Sequence, residues 1–152
     1  RFRESGDDYR AIMASLLADR LAEASAEWLH KKVRGEWGFP DPAGLPLAEL
    51  LKEKFRGIRP AYGYPACPDH SEMRKSFRIL QANEIGMSVT SSNAIFPAAS
   101  VSGLFFAHPE SHYFSVGRIS KEQVEDYSLR KGVSVQEIEE LIQENLGYFG
   151  NE

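Results

Sequence analysis

The segment 59–70 (RPAYGYPACPDH) gathers residue types that can hold a small polar ligand. It begins with Arg59, places Gly63 between Tyr62 and Tyr64, and contains three prolines. Because proline fixes its own φ and disfavours helix at the preceding residue, we expect a stiff extended loop. A guanidinium offers a planar fork of donors for a carboxylate or phosphate, and a glycine lets a ligand approach the backbone. The pattern predicts a small-molecule clamp, with an ordered proline-rich connector as the alternative.

A second group of polar residues recurs at spacings of three and four positions: Asp19, Glu23, Glu27 and His30. On a helix these residues lie along one stripe. Glu27 and His30, with Glu23 one turn earlier, match half of a di-iron carboxylate site, but such a site needs a second Glu-x-x-His helix. The sequence contains no second copy of that motif. We therefore favour ion pairing with neighbouring basic residues over metal binding.

The single cysteine, Cys67, has no partner in the chain with which to form a disulfide. A reducing cytoplasmic location is therefore the default expectation. The spacing Cys67-x-x-His70 resembles half of a zinc site, but a structural zinc ion needs four ligands and the other histidines show no matching pair. We expect Cys67 to be structural and dispensable for function.

No motif in the sequence indicates independent catalysis. A Ser-His-Asp arrangement, a Walker loop and a Gly-x-Gly-x-x-Gly motif are all missing. The last two predicted helices resemble a helix-turn-helix, but the second would present Glu137, Glu139, Glu140 and Glu144 to the phosphates of DNA, which would repel them. We predict a binding surface with no catalytic residue, no metal and no nucleic acid.

Composition and charge agree with an ordinary folded domain. The chain has 152 residues, 42% of them hydrophobic and 26% charged, which indicates one globular domain. A net charge of -4 offers no basic surface for nucleic acid or an anionic membrane. No apolar run approaches the ~20 residues that a spanning helix needs.

The longest helical pattern covers residues 8–34, with Asp7 or Asp8 as its cap. One face is large and apolar, and is expected to belong to the core: Met13, Leu17, Leu21, Ala24 and Trp28. A second face is mostly small: Ala11, Ala18, Ala22, Ala26, Leu29 and Val33. Burial of both faces is expected. A short helix is predicted at 47–55, and another of about ten residues should begin at Asp69 or Ser71.

Short strands are predicted at 87–90, 94–96, 101–107 and 112–119, the last two joined as an antiparallel hairpin within 101–119. Two C-terminal helices follow, with capping boxes at Ser120 and Ser134 and Gly132 between them as a C-cap. A long N-terminal helix, an antiparallel sheet and two C-terminal helices make an α+β fold.

Several stretches resemble, in the same order, the S-adenosylmethionine-binding activation domain of cobalamin-dependent methionine synthase. Residues 59–65 resemble that family's Arg-x-x-x-Gly-Tyr-Pro signature. The other matching stretches are 7–13 (DDYRAIM), 18–24 (ADRLAEA), 99–103 (ASVSG), 123–127 (QVEDY) and 130–132 (RKG). The resemblance implies that residues 1–152 are the C-terminal half of a longer domain, truncated at the N-terminus.

By motif, the resemblance implies that Arg59 holds the carboxylate of S-adenosylmethionine and that backbone groups from Ala61 to Gly63 meet its adenine. Tyr64 belongs to the same signature and would lie near the point where the ligand and cobalamin approach each other. Glu23 would meet the ligand's ammonium group, directly or through water.

The pair Tyr113-Phe114 occupies a position that is usually two tyrosines in the family. Phe114 keeps the ring but lacks the hydroxyl, so a hydrogen bond from this position is lost.

The resemblance further implies a reductive activation module of a methyltransferase for methionine biosynthesis. Its partners would be the cobalamin-binding domain of the same enzyme, a flavodoxin-type electron donor and the missing N-terminal half. That half would cover part of the sheet, so in its absence one apolar face of the long helix should lack a partner. The alternative is a non-catalytic module that docks a partner protein and takes no small ligand.

Overall fold

The computed structural model describes residues 2–149, and its longest element is helix α1 (Asp8–Glu36). Asp7 caps the helix, because its side chain accepts a hydrogen bond from the backbone N–H of Arg10 at 3.0 Å. The predicted helix and its cap are confirmed, and the helix continues two residues beyond the predicted end.

The two faces of α1 differ in burial. Ala11 is buried and most other members of the small-residue face are half-buried. The large apolar face is uncovered within residues 2–149, with exposed fractions of 41%, 60%, 67% and 64% at Met13, Leu17, Leu21 and Trp28. The expectation that both faces are buried is therefore wrong within the described residues, whereas the expectation drawn from the resemblance, that one apolar face lacks a partner, agrees with the structure.

Of the two helices predicted in the middle of the chain, the first is shorter than predicted and the second is found as a continuous helical segment over residues 70–79. Helix α2 (Leu47–Leu51) ends early, and Glu53 then adopts a left-handed φ of 55° that no helix continues. A 3-10 turn (His70–Glu72) leads into helix α3 (Met73–Ile79), and Asp69 caps the turn through the backbone N–H of Ser71. A second 3-10 turn follows at Ala82–Ile85.

The sheet consists of strands β1 (Ser88–Val89) and β2 (Ile95–Phe96), which pair antiparallel. These two strands confirm the predictions at 87–90 and 94–96. The predicted hairpin within 101–119 is not formed in the part of the chain that the structure describes. Segment 101–106 instead pairs with segment 58–61 through isolated bridges, Ile58 with Phe106 and Ala61 with Gly103. Pro60, between the two bridges, lacks the N–H that a continuous ladder needs, so the pairing stays isolated.

The C-terminal part contains helices α4 (Lys121–Lys131) and α5 (Val135–Leu141), then a 3-10 turn (Gln143–Asn145). The capping box at Ser120 is complete, and Gly132 ends α4 with a left-handed φ of 75°. Ser134 caps α5 by accepting from the backbone N–H of Glu137. Helices α4 and α5 and the residues just after them form a buried apolar cluster: Val124, Ile138, Ile142 and Leu146.

Helices at both ends of the chain and an antiparallel sheet between them confirm the α+β class. No helix in the range 2–149 combines the length and the apolarity required to cross a lipid bilayer.

Candidate functional site

The loop 59–70 is closed on itself by backbone hydrogen bonds. The N–H of Gly63 donates to the carbonyl of Cys67 at 2.8 Å, and the N–H of Cys67 donates to the carbonyl of Tyr64 at 2.8 Å. Gly63 has a φ of 81°, and a Cβ added there would lie 3.2 Å from the ring of His70. The left-handed backbone of this position favours glycine, and the ring of His70 leaves little room for a side chain. The predicted loop is confirmed, but turns at 62–63 and 65–66 replace the extended backbone that the prolines predict.

A close backbone contact holds the start of the loop against segment 103–107. Ile58 and Phe106 exchange two N–H to carbonyl hydrogen bonds, both 3.0 Å long. A Cβ on Gly57 would lie 1.9 Å from the carbonyl oxygen of Phe106, and one on Gly103 would lie 2.6 Å from that of Pro60. Glycines on both sides therefore permit this approach.

Arg59 lies where three parts of the chain meet. Its backbone N–H donates to the hydroxyl of Tyr113 at 3.0 Å. Its guanidinium Nη2 lies 3.0 Å from a carboxylate oxygen of Glu53 and 3.4 Å from one of Glu27, and the side chain is only 20% exposed. Among the described residues neither Nε nor Nη1 has an acceptor. The guanidinium is therefore fixed at one nitrogen and retains donors for an anionic ligand.

The polar stripe of α1 formed by Asp19, Glu23, Glu27 and His30, which we call the carboxylate stripe, contacts Arg59 through Glu27. Glu23, the member of the stripe that the sequence singled out, is half-exposed and pairs with Arg20 at 2.8 Å. The sequence analysis did not identify Glu53. Neither its left-handed backbone nor its contact with Arg59 can be recognised from the residues around it in the sequence.

Three aromatic rings, those of His30, Phe55 and Phe105, lie beside Arg59. His30 is fully buried, stacked on Phe105 at a centroid distance of 4.6 Å and edge-on to Phe55 at 5.3 Å. Burial, with smaller effects from the nearby cations Arg34 and Arg59, lowers the pKa of His30 to about 4. Within the described residues neither ring nitrogen of His30 has a hydrogen-bond partner. The imidazole is thus uncharged at neutral pH and packs as an aromatic ring.

The metal-like spacings in the sequence are not matched by a metal-binding geometry. Nowhere in residues 2–149 do three or more His, Cys, Asp or Glu side chains come together as ligands. Burial, followed by the charges of Asp69 and Glu72, raises the pKa of the Cys67 thiol, which keeps it protonated.

Three aromatic residues that the sequence analysis assigned to the site have exposed rings. Tyr64 is 64% exposed, Tyr113 is 47% exposed and Phe114 is 53% exposed. Tyr62, by contrast, is buried, and its hydroxyl is bonded to that of Ser76. Of the two loop tyrosines, Tyr64 is therefore the one that can meet a ligand, while Tyr62 anchors the loop to α3.

A cleft of about 610 Å³ adjoins this site and shares Glu53 and Phe55 with it. It is formed by two segments, 38–42 and 53–56, which supply Gly38, Phe39, Pro40, Asp41, Pro42, Glu53, Lys54, Phe55 and Arg56. Glu53 and Phe55 connect it to Arg59, since both contact that side chain.

Comparisons with a family model and with solved structures show what this chain is similar to. Residues 1–132 match the family model described as the vitamin B12 dependent methionine synthase activation domain. A crystal structure of the MetH reactivation domain bound to AdoHcy is 49% identical, with a TM-score of 0.92 over 97% of this chain. The matched part is 46% of that solved chain, so this chain spans about half its length.

Proposed function

Because the chain belongs to the family of vitamin B12-dependent methionine synthase activation domains, we propose that it supplies a binding surface for S-adenosylmethionine. The surface is formed by loop 59–70, the Glu27 end of the carboxylate stripe and Tyr113 with Phe114. The carrying observation is the placement of Arg59, which is fixed by Glu27, Glu53 and Tyr113 and keeps free donors.

The chemistry of the ligand fits this surface. S-adenosylmethionine brings a carboxylate, an ammonium group, a sulfonium cation and a flat adenine. Arg59 would hold the carboxylate, and backbone groups from Ala61 to Gly63 would meet the flat adenine. The exposed ring of Tyr64 would lie near the point where the ligand and cobalamin approach each other. AdoHcy, which is bound in the relative of known structure, is the same molecule without its transferable methyl group.

Carboxylates of α1 would receive the positive end of the ligand. Glu23 would meet the ammonium group directly or through water, and Glu27 lies one turn nearer to Arg59. Tyr113 and Phe114 would close the other side with two rings, although Phe114 offers no hydroxyl.

The proposed role in the whole enzyme is reductive activation. Cobalamin, held by another domain of the same enzyme, would supply a strongly nucleophilic reduced cobalt, with a flavodoxin-type protein as the electron donor. The residues of this chain would orient the ligand's methyl group and exclude water, since a sulfonium is already a good leaving group. Turnover by this chain alone is not expected, because the cobalamin belongs to another domain. A cytoplasmic location is part of this proposal.

The alternative, a docking module without a small ligand, makes a different prediction for ligand-induced stability. S-adenosylmethionine at 100 times its dissociation constant should raise the free energy of unfolding by about 2.7 kcal/mol. The measurement is urea unfolding with and without the ligand, with adenosine as the control and Arg59→Met as the matched variant. No stabilisation of the wild type would contradict S-adenosylmethionine binding and favour the docking module.

A further inference from the structure

The end of loop 59–70, which we call the ligand loop, is tied to helix α4 by a partly buried group of side chains, which we call the Lys131 cluster: Asp69, Ser71, Glu72, Tyr127 and Lys131. The Nζ of Lys131 lies 2.7 Å from the hydroxyl of Ser71, 2.7 Å from a carboxylate oxygen of Glu72, and also donates to Asp69. Tyr127, one turn earlier on α4, donates its hydroxyl to the same Asp69 carboxylate at 2.6 Å. Helix α4 thus contacts the loop end through side chains.

The charged groups of the cluster are withdrawn from solvent. The side chain of Lys131 is 10% exposed and that of Asp69 is 5% exposed. Burial alone would raise the pKa of Asp69, but hydrogen bonds from Lys131, Ser71 and Tyr127 hold it below its usual range. Because a buried carboxylate without its cation is strongly unfavourable, Asp69 depends on Lys131 for its position.

Because Asp69 belongs to the ligand loop, its bonds to α4 also restrain the residues next to it in the loop. It accepts a hydrogen bond from the backbone N–H of Ser71 at 2.9 Å, which fixes the turn that begins at His70. The ring of His70 packs against Gly63, whose N–H is bonded to Cys67 in turn. A shift of Asp69 therefore moves the ring that supports the centre of the loop.

We propose that Lys131 is a positioning residue for the ligand loop: with Tyr127 it holds Asp69, and through Asp69 it keeps residues 59–70 in their binding shape. This inference rests on the proposed binding of S-adenosylmethionine by that loop. A preordered loop binds without a further cost of ordering, so loosening it weakens binding although Lys131 does not touch the ligand.

Binding to variants of the full chain tests the inference. We expect Lys131→Met to raise the dissociation constant for S-adenosylmethionine at least about fivefold in calorimetry, and Tyr127→Phe to raise it by a smaller factor. Lys32→Met is the matched control, because it makes the same change at an exposed lysine whose pair with Glu36 lies outside the cluster. It should bind like the wild type.

Cys67 gives a second readout, independent of the ligand. It is the only cysteine, lies half-buried in the loop, and its alkylation rate by iodoacetamide reports how often the loop opens. The charge of Lys131 lowers the pKa of this thiol, so its removal alone would slow the reaction. Faster alkylation of Lys131→Met, by about threefold or more, therefore reports opening of the loop.

Two further comparisons make the result decisive. Gly6→Ala is destabilising because Gly6 has a left-handed φ of 73°, and no cluster residue lies within 4 Å of the added methyl group, so its alkylation rate should equal that of the wild type. If Lys131→Met does not fold, the affinity and the alkylation rate of Tyr127→Phe are measured instead. Wild-type affinity and wild-type alkylation in the folded cluster variants would overturn the role of Lys131. A wild type that does not bind S-adenosylmethionine would instead overturn the proposed function.

Discussion

At the scale of single residues, the surroundings of Arg59 explain how a cation is kept ready for an anionic ligand. Glu27 and Glu53 both approach Nη2, and both carboxylates are at least one-third exposed. Exposed pairs of this kind contribute at most about 1 kcal/mol each to stability. Their effect on the site is orientation, since they fix one nitrogen of the planar group and leave the others for recognition.

Replacing Arg59 with lysine tests this fork. Arg59→Lys keeps the charge but loses the planar set of donors, so affinity for S-adenosylmethionine in the complete domain should fall by about 1.5–3 kcal/mol. Titration calorimetry measures the difference, with the exposed Arg130→Lys as the control. An unchanged dissociation constant in Arg59→Lys would remove Arg59 from the site.

The buried His30 predicts a pH dependence of stability. In the folded protein the pKa of His30 is lowered from 6.5 to about 4. Between pH 6.5 and pH 4 the imidazole is therefore protonated in the unfolded chain but not in the folded one. The associated stability is fully present above pH 6.5 and is lost as the pH falls toward 4. The shift corresponds to a loss of up to about 3 kcal/mol for this fully buried ring.

The measurement is the urea midpoint of the wild type and of His30→Phe between pH 7 and pH 4. Phenylalanine can pack between the same two rings but does not titrate. The wild type should lose more stability than the variant over this range. Identical pH slopes would show that the imidazole is accessible to protons in the folded state.

Single-residue roles were predictable only in part. The chemistry of the loop is visible in its residue types, and the motif resemblance selected Arg59 and Tyr113, which the structure brings into contact. The contact of Glu53 with Arg59 was not predictable. It depends on a left-handed residue just after α2 and on how the chain turns back toward α1, and neither has a local signature.

At the scale of elements, the approach of segment 57–61 to segment 103–107 positions Arg59. We predict that Gly57→Ala costs at least about 2 kcal/mol more than Gly38→Ala. Both glycines have a similar positive φ, 88° and 83°, but only at Gly57 does the added methyl meet a backbone carbonyl. Guanidinium unfolding of both variants isolates the steric part. Equal losses would show that the two segments can separate without penalty.

The helices whose ends are marked by capping residues were predicted well. Asp7, Ser120 and Gly132 mark helix ends by capping chemistry that acts within one turn, so the sequence reveals it. The hairpin within 101–119 was wrong for the opposite reason. Alternating residues indicate extended backbone but do not identify its partner, and here the partner is the distant segment 58–61.

At the scale of the whole molecule, much apolar surface stays uncovered. The accessible surface is 11003 Å², whereas a compact monomer of 17.1 kDa exposes roughly 7,800 Å². The large apolar face of α1, from Met13 to Trp28, contributes to the excess. A face of this kind favours association, either with the remainder of a longer domain or with a second copy of the chain.

We therefore predict that this chain by itself binds S-adenosylmethionine at least about tenfold more weakly than a longer protein with both halves of the domain, a loss of roughly 1.4 kcal/mol or more. It should also self-associate at high concentration, because the α1 face then finds a partner in another copy. Sedimentation and calorimetry on both proteins measure the two effects together. Leu21→Gln, which makes the exposed face more polar, should reduce self-association of the short chain. Equal affinity in a monodisperse 152-residue monomer would contradict the prediction and show that the uncovered face has no bearing on the site.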